Sequence, residues 1–521
     1  MRCIKSRSFA GISAALFLLS CASLALAARR PHYGGTLRVE LHAASISLDP
    51  RQWKPGSLAT AENEKLAALI YDRLISLDEF GRFHPALAIE WSHDPNSKIW
   101  QFKLRGGVKF SDGSALNPSD VIASLQSELP QGTQIAPTET GVVIHLTHAS
   151  PDLPSQLATG KSFIYRVQSK GALLGTGPFY VTEIIPAGGD SNPAQPKAAR
   201  IHFRANEESW PGRPFLDSIE VTLGVPPLRQ LFDLQLGKAD LVEIAPDLVR
   251  KARQENLRIW SSSPNTLLAL RFDDKQPAAG EARLRQAISL SLDRETMANV
   301  LLQRQAEPAA SLLPQWLSGY AFLFDNPVDL QLAKEMRSTL PPNMAAGKDP
   351  LRIRLDASGD LMKLLGERVA VNARQANIMV QLLPHVPESA AESGAATTAD
   401  LHLIGWHYET VSPGSELEAL LSQLHLQENA EGAHAGSDAD QLYDRLYERE
   451  RRFIEDRRIL PLVILPEYAG LGANVRNWLP ASWGEWRLAD VWLEQNEKVS
   501  SLQSGDAARN STVLRAAGVR P

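Results

Sequence analysis

The stretch WQFKLRGGVKFSDGSALNPSDV, residues 100–121, places apolar side chains at alternate positions with polar and charged ones between them. This period of two is typical of a strand with one buried face. Gly106-Gly107 predicts a tight turn, because glycine adopts positive φ without a steric penalty. The alternation resumes after the turn, so the segment predicts a β-hairpin. The apolar positions are Trp100, Phe102, Leu104, Val108 and Phe110.

The second half of the stretch predicts another turn and the start of a helix. Asp112-Gly113 is a turn dipeptide. Asn117 offers an N-cap, Pro118 suits the first helical position, and Asp120 stands at the third. Asp112 and Asp120 are therefore interpreted as turn and cap residues rather than as catalytic groups.

The composition indicates an exported, acidic protein. The 521 residues carry a formal net charge of −5 and are 44% hydrophobic, which suffices for two or three domains with cores of their own. Residues 1–27 are predicted to be a signal peptide, because a basic start precedes a short apolar run and Ala25-Leu26-Ala27 fits a signal-peptidase site. The acidic balance argues against nucleic acid as a partner.

Both cysteines, Cys3 and Cys21, lie within this signal. Cleavage after Ala27 leaves no disulfide, no catalytic thiol and no cysteine metal site. The alternative is cleavage before Cys21, where the preceding residues resemble a lipoprotein box, and this would give a lipid anchor. Residues 497–521 contain few large apolar residues and are predicted to be a disordered tail.

An ordered series of short motifs resembles the extracellular solute-binding proteins of family 5, the oligopeptide, dipeptide and nickel periplasmic binding proteins of ABC transporters. The stretch at 100–121 is one member of the series, which runs from about residue 34 to residue 495. No single motif is decisive, and the order carries the resemblance. The other motifs are GGTLRV (34–39), SLDP (47–50), YDRL (71–74), PALA (85–88), GTGPF (175–179), PFLDSIE (214–220), LGKAD (236–240) and RLRQAI (283–288).

Strand-like and helical runs alternate along the chain, which favours α/β domains. The resemblance implies a periplasmic-binding-protein fold of type II, three-domain and cluster C-like, with two lobes and a hinge. Lobes joined in this way can close on a ligand. The implied domains are a discontinuous domain I at 32–75, 172–265 and 466–496, an inserted, shortened domain II at 76–171, and a domain III at 266–465.

The residues give little support to catalysis. The sequence contains no His-Glu-x-x-His helix, P-loop or Gly-x-Ser-x-Gly elbow. Pro178 follows Gly175-Thr176-Gly177 at the place where a dinucleotide-binding helix would begin. Adjacent acidic pairs such as Asp273-Asp274 diverge, unlike an acid–base dyad. We therefore predict no catalytic residue, no metal site and no cofactor.

The segment LIGWHYETVSPGS, residues 403–415, is the predicted ligand site. In peptide-binding members of the family, the corresponding segment pairs with the ligand, and a carboxylate three residues after the tryptophan holds the α-ammonium group. The resemblance places Gly405, Trp406 and His407 beside the ligand and Glu409, where Asp is usual, at the ammonium. A buried ammonium needs such an anionic partner. The alternative is that Trp406 is core and Glu409 a surface loop residue.

Trp316 and Tyr320 are further candidates for the ligand-binding cleft, with core packing as the alternative. The tryptophans at 478, 483, 486 and 492 are predicted to pack the last elements of domain I. His407 lies in the right segment for nickel, but a single imidazole is a poor metal site.

These observations favour a periplasmic, monomeric substrate-binding component of an ABC importer. It would capture a short peptide or related small polar solute and deliver it to a membrane permease. The alternative is a non-transport ligand sensor or periplasmic chaperone on the same scaffold, which the shortened domain II and the altered pocket residues suggest.

Overall fold

The computed structural model describes residues 30–494 except 79, 170, 188–198, 341–349, 356–358, 386–397 and 425–438. The predicted signal peptide, Cys21 and the predicted tail lie outside the described residues. Within these described ranges, no helix is both long and apolar enough to cross a membrane.

The strands and helices of the described residues are numbered in chain order. Strands β1 to β25 are Thr36–Glu40, Asp72–Arg73, Ile75–Leu77, Phe83–Pro85, Ala88–His93, Ile99–Leu104, Gln134–Pro137, Gly141–His145, Phe163–Ile164, Arg166–Val167, Leu173–Leu174, Phe179–Ile185, Arg200–Ala205, Ser218–Thr222, Leu241–Glu243, Arg258–Ser261, Thr266–Phe272, Glu307–Pro308, Leu351–Leu355, Val380–Leu383, Leu401–His407, Ile459–Leu465, Tyr468–Leu471, Val475–Arg476 and Trp492–Leu493. Helices α1 to α13 are Leu58–Ala67, Pro118–Leu125, Leu153–Ala158, Pro227–Gln235, Val249–Gln254, Pro277–Gly280, Ala282–Ser291, Arg294–Thr296, Gln315–Ser318, Leu330–Ser338, Asp360–Gln375, Pro413–Gln423 and Ala439–Asp456.

The largest sheet has seven strands in the order β12-β13-β14-β1-β15-β23-β16. Its centre is parallel, because β1 pairs with β14 and β15 in the same direction, and the outer pairs are antiparallel. Alternate residues of β1, Leu37 and Val39, are buried in one core with Phe179 and Phe203. The alternation of side chains in a strand thus places one face of this sheet against its main core.

A four-stranded sheet with the order β5-β6-β8-β7 contains the first part of the stretch at 100–121. Trp100 and Phe102 of β6 are buried as predicted. The predicted hairpin is wrong: β6 pairs with β5 and β8, and residues 108–110 form only an isolated bridge between Lys109 and Ala115. The glycine turn does form, with Gly107 at φ +78°, but it leads the chain off the sheet, where Val108 becomes core.

The predicted helix start is confirmed at α2. Pro118 is its first residue, and the backbone N–H of Asn117 donates to the Asp120 carboxylate at 2.9 Å. Asp120 also forms a salt bridge with Arg166 at 2.6 Å. These contacts tie the end of the stretch to the neighbouring strand β10.

A six-stranded sheet with the order β18-β22-β17-β21-β19-β20 is built from later parts of the chain. Leu268 and Leu270 of β17 enter one core, whereas Leu267 and Ala269 enter another. Both faces of this strand are therefore covered, and its continuous apolar run is explained.

Two short segments connect the six-stranded sheet to the seven-stranded one. The chain passes from β16 to β17 through 262–265 and returns from β22 to β23 through 466–467. These crossings lie side by side, because Ser262 N donates to Glu467 O at 3.0 Å and Asn265 N donates to Leu465 O at 2.8 Å. The structure thus has two lobes joined at a two-segment hinge, while the domain limits given above stay a prediction.

Candidate functional site: a cleft between two lobes

We call the seven- and four-stranded sheets with their helices the first lobe, and the six-stranded sheet with its helices the second lobe. The lobes meet where the end of β21 faces the residues before α1. His407 N donates to Gly56 O at 2.8 Å, and Gly56 N donates to Glu409 Oε1 at 2.6 Å. The second lobe thus forms hydrogen bonds with both the carbonyl oxygen and the N–H group of Gly56 in the first lobe.

Side chains from both lobes also pack tightly at this meeting point. A Cβ built on Gly56 would lie 2.3 Å from the Trp406 ring, and one built on Gly405 would lie 2.7 Å from Leu58 Cδ1. Atoms this close would overlap, so two glycines allow the direct contact of the lobes.

Glu416 fixes the loop that carries Glu409. Its carboxylate accepts from Trp406 Nε1 at 2.7 Å and from the backbone N–H groups of Glu409 and Thr410 at 3.1 and 2.9 Å. Burial raises the pKa of Glu416 to about 7, although these three donors oppose the rise. Glu416 lies in the first turn of α12, where the helix dipole also favours a negative charge.

A small cavity of about 30 Å³, which we call the inner cavity, lies beside these contacts. Its lining carries three carboxyl groups and two cationic side chains, together with His407. The charged lining residues are Glu64, Glu409, Glu485, Lys65 and Arg73.

The cations of the inner cavity are held by carboxylates of the protein. Arg73 binds Glu64 and Glu485, the latter at 2.9 Å, and stacks over Phe163 with 4.0 Å between Cζ and the ring centroid. Lys65 Nζ lies 3.0 Å from Glu467. The other carboxylates around Lys65 are Glu62 and Glu243, at 3.1 and 3.8 Å.

Two carboxyl groups of the inner cavity, those of Glu64 and Glu409, resist ionisation. Burial, and then the charge of Glu409, raise the pKa of Glu64 to about 8 against the effect of Arg73. Burial and the charge of Glu416 likewise raise the pKa of Glu409 to about 8. Burial lowers the pKa of His407, so this imidazole is neutral at pH 7. The cavity therefore favours the arrival of a positive charge, which would ease ionisation of both glutamates.

A larger space of about 520 Å³, which we call the outer chamber, lies between the same lobes. Phe80 and Phe83 of the first lobe and Trp316 of the second line it, with Trp483 as a wall that it shares with the inner cavity. Trp316 Nε1 donates to Pro264 O in the hinge at 2.6 Å, and Asn265 Nδ2 donates to Trp483 O at 2.8 Å. Hinge residues thus hold both tryptophans.

Asp152 forms a further contact between the lobes at the edge of the outer chamber. Its carboxylate accepts from Ser412 Oγ at 2.8 Å and from Ser415 Oγ. Gln156, one turn along α3, donates to Ser415 Oγ at 3.2 Å. The negative charge of Asp152 therefore faces the N-terminus of α12, where the helix dipole favours it.

The predicted site residues occupy different places. His407 and Glu409 line the inner cavity, and Trp316 lines the outer chamber. Gly405 and Trp406 lie at the contact between the lobes and line neither space. Tyr320 is buried and donates its hydroxyl hydrogen to Glu450 at 2.9 Å, away from both spaces.

Other residues of the cleft were not among the predictions. Gly56 lies at the contact between the lobes, and Glu64 and Arg73 line the inner cavity. Trp483, which was expected to pack the last elements of domain I, lines both spaces. The one available signal was the run Glu62–Lys65 in α1, where charges interrupt an otherwise apolar helix. Among the described residues, no cluster of three or more His, Cys, Asp or Glu side chains is arranged to hold a metal ion.

Comparisons with known proteins agree on one family. The model of bacterial extracellular solute-binding proteins, family 5 Middle, matches residues 82–426. The nickel-binding protein NikA of Staphylococcus aureus is 22% identical, covering 71% of this chain and 72% of its own length. The peptide transport periplasmic protein SapA of Salmonella typhimurium is 22% identical over 84% of this chain and 88% of its own.

A solved structure has the same fold. The periplasmic binding protein DppA from Helicobacter pylori, in complex with the peptide STSA, superposes with a TM-score of 0.75 at 16% identity. The match covers 89% of this chain and 99% of that one.

Proposed function

We propose a function from the premise that this chain belongs to the bacterial extracellular solute-binding proteins of family 5. The protein is the periplasmic binding component of an ABC importer, and it captures an amine-bearing solute, such as a short peptide, between its lobes. Relatives named for peptide transport and nickel binding, and a fold neighbour solved with a peptide, support a small ligand in this cleft.

One observation carries the preference for an amine. Where the lobes meet, the inner cavity has more carboxyl groups than cations, and Glu64 and Glu409 both resist ionisation there. A solute ammonium would pair with Glu409 and offset the cost of burying these negative charges. An anionic solute would add to that cost.

The fold supports capture by closure. Two adjacent hinge segments let the lobes separate, and the solute would enter while Glu409 and Gly56 are apart. Closure then places His407 and Glu409 beside the solute, with Trp316 at the outer edge, while Gly405 and Trp406 form the contact between the lobes. The closed monomer presents its joined lobes to a membrane permease, which receives the solute.

The test is isothermal titration calorimetry of the exported protein with short peptides, amines, free amino acids, sugars and chelated nickel. We expect saturable binding of at least one amine-bearing solute. Glu409→Gln should weaken that binding about 10- to 100-fold, because an ammonium would lose its charged partner. Glu335→Gln is the matched control, since Glu335 is exposed on α10 and lines neither space.

Two results would contradict the proposal. Binding of anions in preference to amines would exclude Glu409 as the partner of an ammonium group. The absence of measurable binding for every solute tested would exclude solute capture.

A second function on the same scaffold, a ligand sensor or periplasmic chaperone, has one observation in its favour. The lobes close directly on each other through Gly56, with only the small inner cavity left between them there. The closed form of the two lobes could be recognised by a partner protein, and this function would need no transport of the solute. Adjacent permease and ATPase genes would favour the importer, whereas an adjacent sensor kinase gene would favour signalling.

A further inference from the structure

Helix α4 of the first lobe exposes a line of large apolar side chains. Leu228, Phe232 and Leu236 follow one another at intervals of four residues, so they lie on one face of the helix and of the residue that ends it. They are 47%, 42% and 68% exposed. We call these three residues the apolar ridge. The exposed face of a surface helix is usually polar, so the ridge needs an explanation.

The ridge is not required to hold α4 in place. The opposite face of the helix carries Leu231 and Leu234, which are buried in one core with Val242 of β15. The ridge also lines neither the inner cavity nor the outer chamber. Contiguous exposed apolar side chains are often functional, whereas single ones need no explanation. The three side chains are therefore available for a contact outside the chain.

Basic side chains lie along one side of the ridge, on helix α5. The inner face of α5 enters the same core as that of α4, and α5 lies towards the edge strand β16, so the two helices lie side by side on the sheet. Lys251 of α5 reaches the ridge, with its Nζ 4.8 Å from the centroid of the Phe232 ring. Gln235 of α4 donates to Glu255, just beyond α5. The exposed faces of α4 and α5 thus form one surface.

The opposite side of the ridge, towards β1, is also basic. Arg229 and Lys238 both form salt bridges with Asp233, the second at 3.9 Å. Their side chains are 59% and 60% exposed, whereas that of Asp233 is 6% exposed. Glu40 of β1 also lies on this side, and burial and the charge of Asp233 raise its pKa to about 7. The cations therefore reach the surface, and the carboxylates lie beneath them.

The charge of this surface suits an anionic partner. The exposed or half-exposed cations are Arg229, Lys238, Arg250, Lys251 and Arg253, and the exposed carboxylates are Asp247 and Glu255. The protein as a whole has a net charge of −5, so an anionic surface would repel the molecule on average. Such a surface would attract it through α4 and α5 and would thereby orient it.

A lipid bilayer fits the ridge better than a protein does. A stable protein–protein interface needs about 800 Å² per partner and a matching shape, and three side chains supply only a small part of this area. Phe and Leu side chains flanked by Lys and Arg are typical of helices that lie in the bilayer interface. There the apolar side chains enter the acyl region, and cations such as Lys251 stay among the lipid phosphates.

We infer that the surface of α4 and α5 binds anionic phospholipid membranes, with the apolar ridge inserted and the flanking cations on the phosphate groups. This inference goes beyond the proposed function and does not depend on the solute. The first lobe would rest on the membrane, while the second lobe would stay free to move at the hinge.

Vesicle flotation tests the inference on the chain that begins at Ala28, the product of the predicted cleavage, so that a lipid on Cys21 cannot contribute. Vesicles of phosphatidylglycerol and phosphatidylcholine in equal amounts should bind the protein at least about 10-fold more strongly than phosphatidylcholine alone. Phe232→Ser should weaken binding to the anionic vesicles about 10-fold, because the side chain no longer enters the acyl region. Lys251→Gln should weaken it about fivefold, since one cation leaves the phosphates.

Two variants in the second lobe are the matched controls. Phe322→Ser removes a phenylalanine that is 73% exposed, and Lys275→Gln removes the charge of an exposed lysine. Neither should change vesicle binding. All four substitutions are at exposed or half-exposed positions, so urea unfolding should give the same midpoint for the variants and the unmodified protein.

Equal binding to both kinds of vesicle, or binding that Phe232→Ser leaves unchanged, would overturn the inference. The absence of binding to either kind would also overturn it and would leave the ridge to a protein partner. None of these results bears on the proposed function, because solute binding is measured by calorimetry without vesicles.

Discussion

Gly56 and Trp406 face each other across the cleft so closely that no side chain fits between them. A Cβ on Gly56 would lie 2.3 Å from the indole ring, and Gly56 itself has φ +68°. The closed arrangement of the lobes therefore depends on the absence of a side chain at this position.

Gly56→Ala should hold the lobes apart in the absence of solute. The added methyl group meets the Trp406 ring, which is buried and fixed by Glu416, so the cheaper response is opening at the hinge. Small-angle X-ray scattering should give a larger radius of gyration for this variant than for the unmodified protein.

Gly237→Ala is the matched control for backbone strain. Gly237 has φ +65°, close to that of Gly56, but a Cβ there meets nothing within 4 Å. Both variants should lose about 1–2 kcal/mol of unfolding free energy from the left-handed conformation, but only Gly56→Ala should change the radius of gyration. An equal radius for all three proteins would show that the unliganded protein is not held closed by this contact.

Asp152→Asn should shorten the lifetime of the closed state. The asparagine keeps the size of the side chain but loses the charge that faces the N-terminus of α12. It also has one acceptor oxygen instead of two, and in the wild-type protein Asp152 Oδ2 accepts from both Ser412 and Ser415. The loss should be about 0.5–1 kcal/mol, and a bound solute should dissociate roughly two- to fivefold faster. Stopped-flow tryptophan fluorescence measures this rate.

Asp325→Asn is the corresponding control, because Asp325 is exposed in the second lobe and lines neither the inner cavity nor the outer chamber. A faster dissociation in both variants would assign the effect to overall charge rather than to the contact between the lobes.

Solute binding should release protons near pH 7. The pKa values of Glu64 and Glu409 are raised from 4.5 to about 8 in the closed protein, so their protonated forms are favoured there. For groups raised in this way, stability of the closed form is fully present below about pH 4.5 and is lost as the pH rises through 8. An ammonium lowers both pKa values again and expels protons.

Calorimetry at pH 7 in buffers with different ionisation enthalpies gives the number of protons released. We expect net release when an amine-bearing solute binds, and a smaller release for Glu409→Gln. Proton uptake on binding would contradict the raised pKa values as the origin of the effect.

Tyr320→Phe should reduce stability and leave solute binding unchanged. The Tyr320 hydroxyl donates to buried Glu450, which also accepts from the N–H groups of Leu312 and Leu313. Loss of one donor should cost about 1–2 kcal/mol in urea unfolding. Tyr443→Phe, at a residue that is 48% exposed on α13, should cost nothing measurable. A selective loss of solute affinity in Tyr320→Phe would restore Tyr320 to the ligand site.

Local sequence patterns predicted the strands and helices better than they predicted which strands pair. The alternation from Trp100 to Leu104 predicted β6, and Asn117-Pro118 predicted the start of α2, because both depend on residues close in sequence. The same stretch misled about pairing, since β6 joins β8, about forty residues later, instead of the segment just after the glycine turn. Strand pairing depends on distant residues that a short window does not contain.

The candidate site shows the same limit. The position of Glu409 followed from the motif around Trp406, but its contact, Gly56, is 353 residues away and carries no side chain to draw attention. Arg73 and Glu485 form a salt bridge across 412 residues, and Glu485 belongs to none of the motifs quoted above. Clefts between lobes are formed by residues that are distant in sequence. The sequence therefore indicated the side formed by residues 403–415, and only the structure showed the opposite side.

The two hydrogen bonds between Gly56 and residues 407–409 also lower the apparent affinity of the protein for solutes. A solute that binds between these residues must replace two hydrogen bonds that the empty protein already makes with itself. The apparent affinity of every solute is therefore lowered by the same factor, which the population of the self-closed state sets, so only solutes with strong contacts of their own bind measurably. The direct contact of the lobes therefore competes with every solute for the closed cleft.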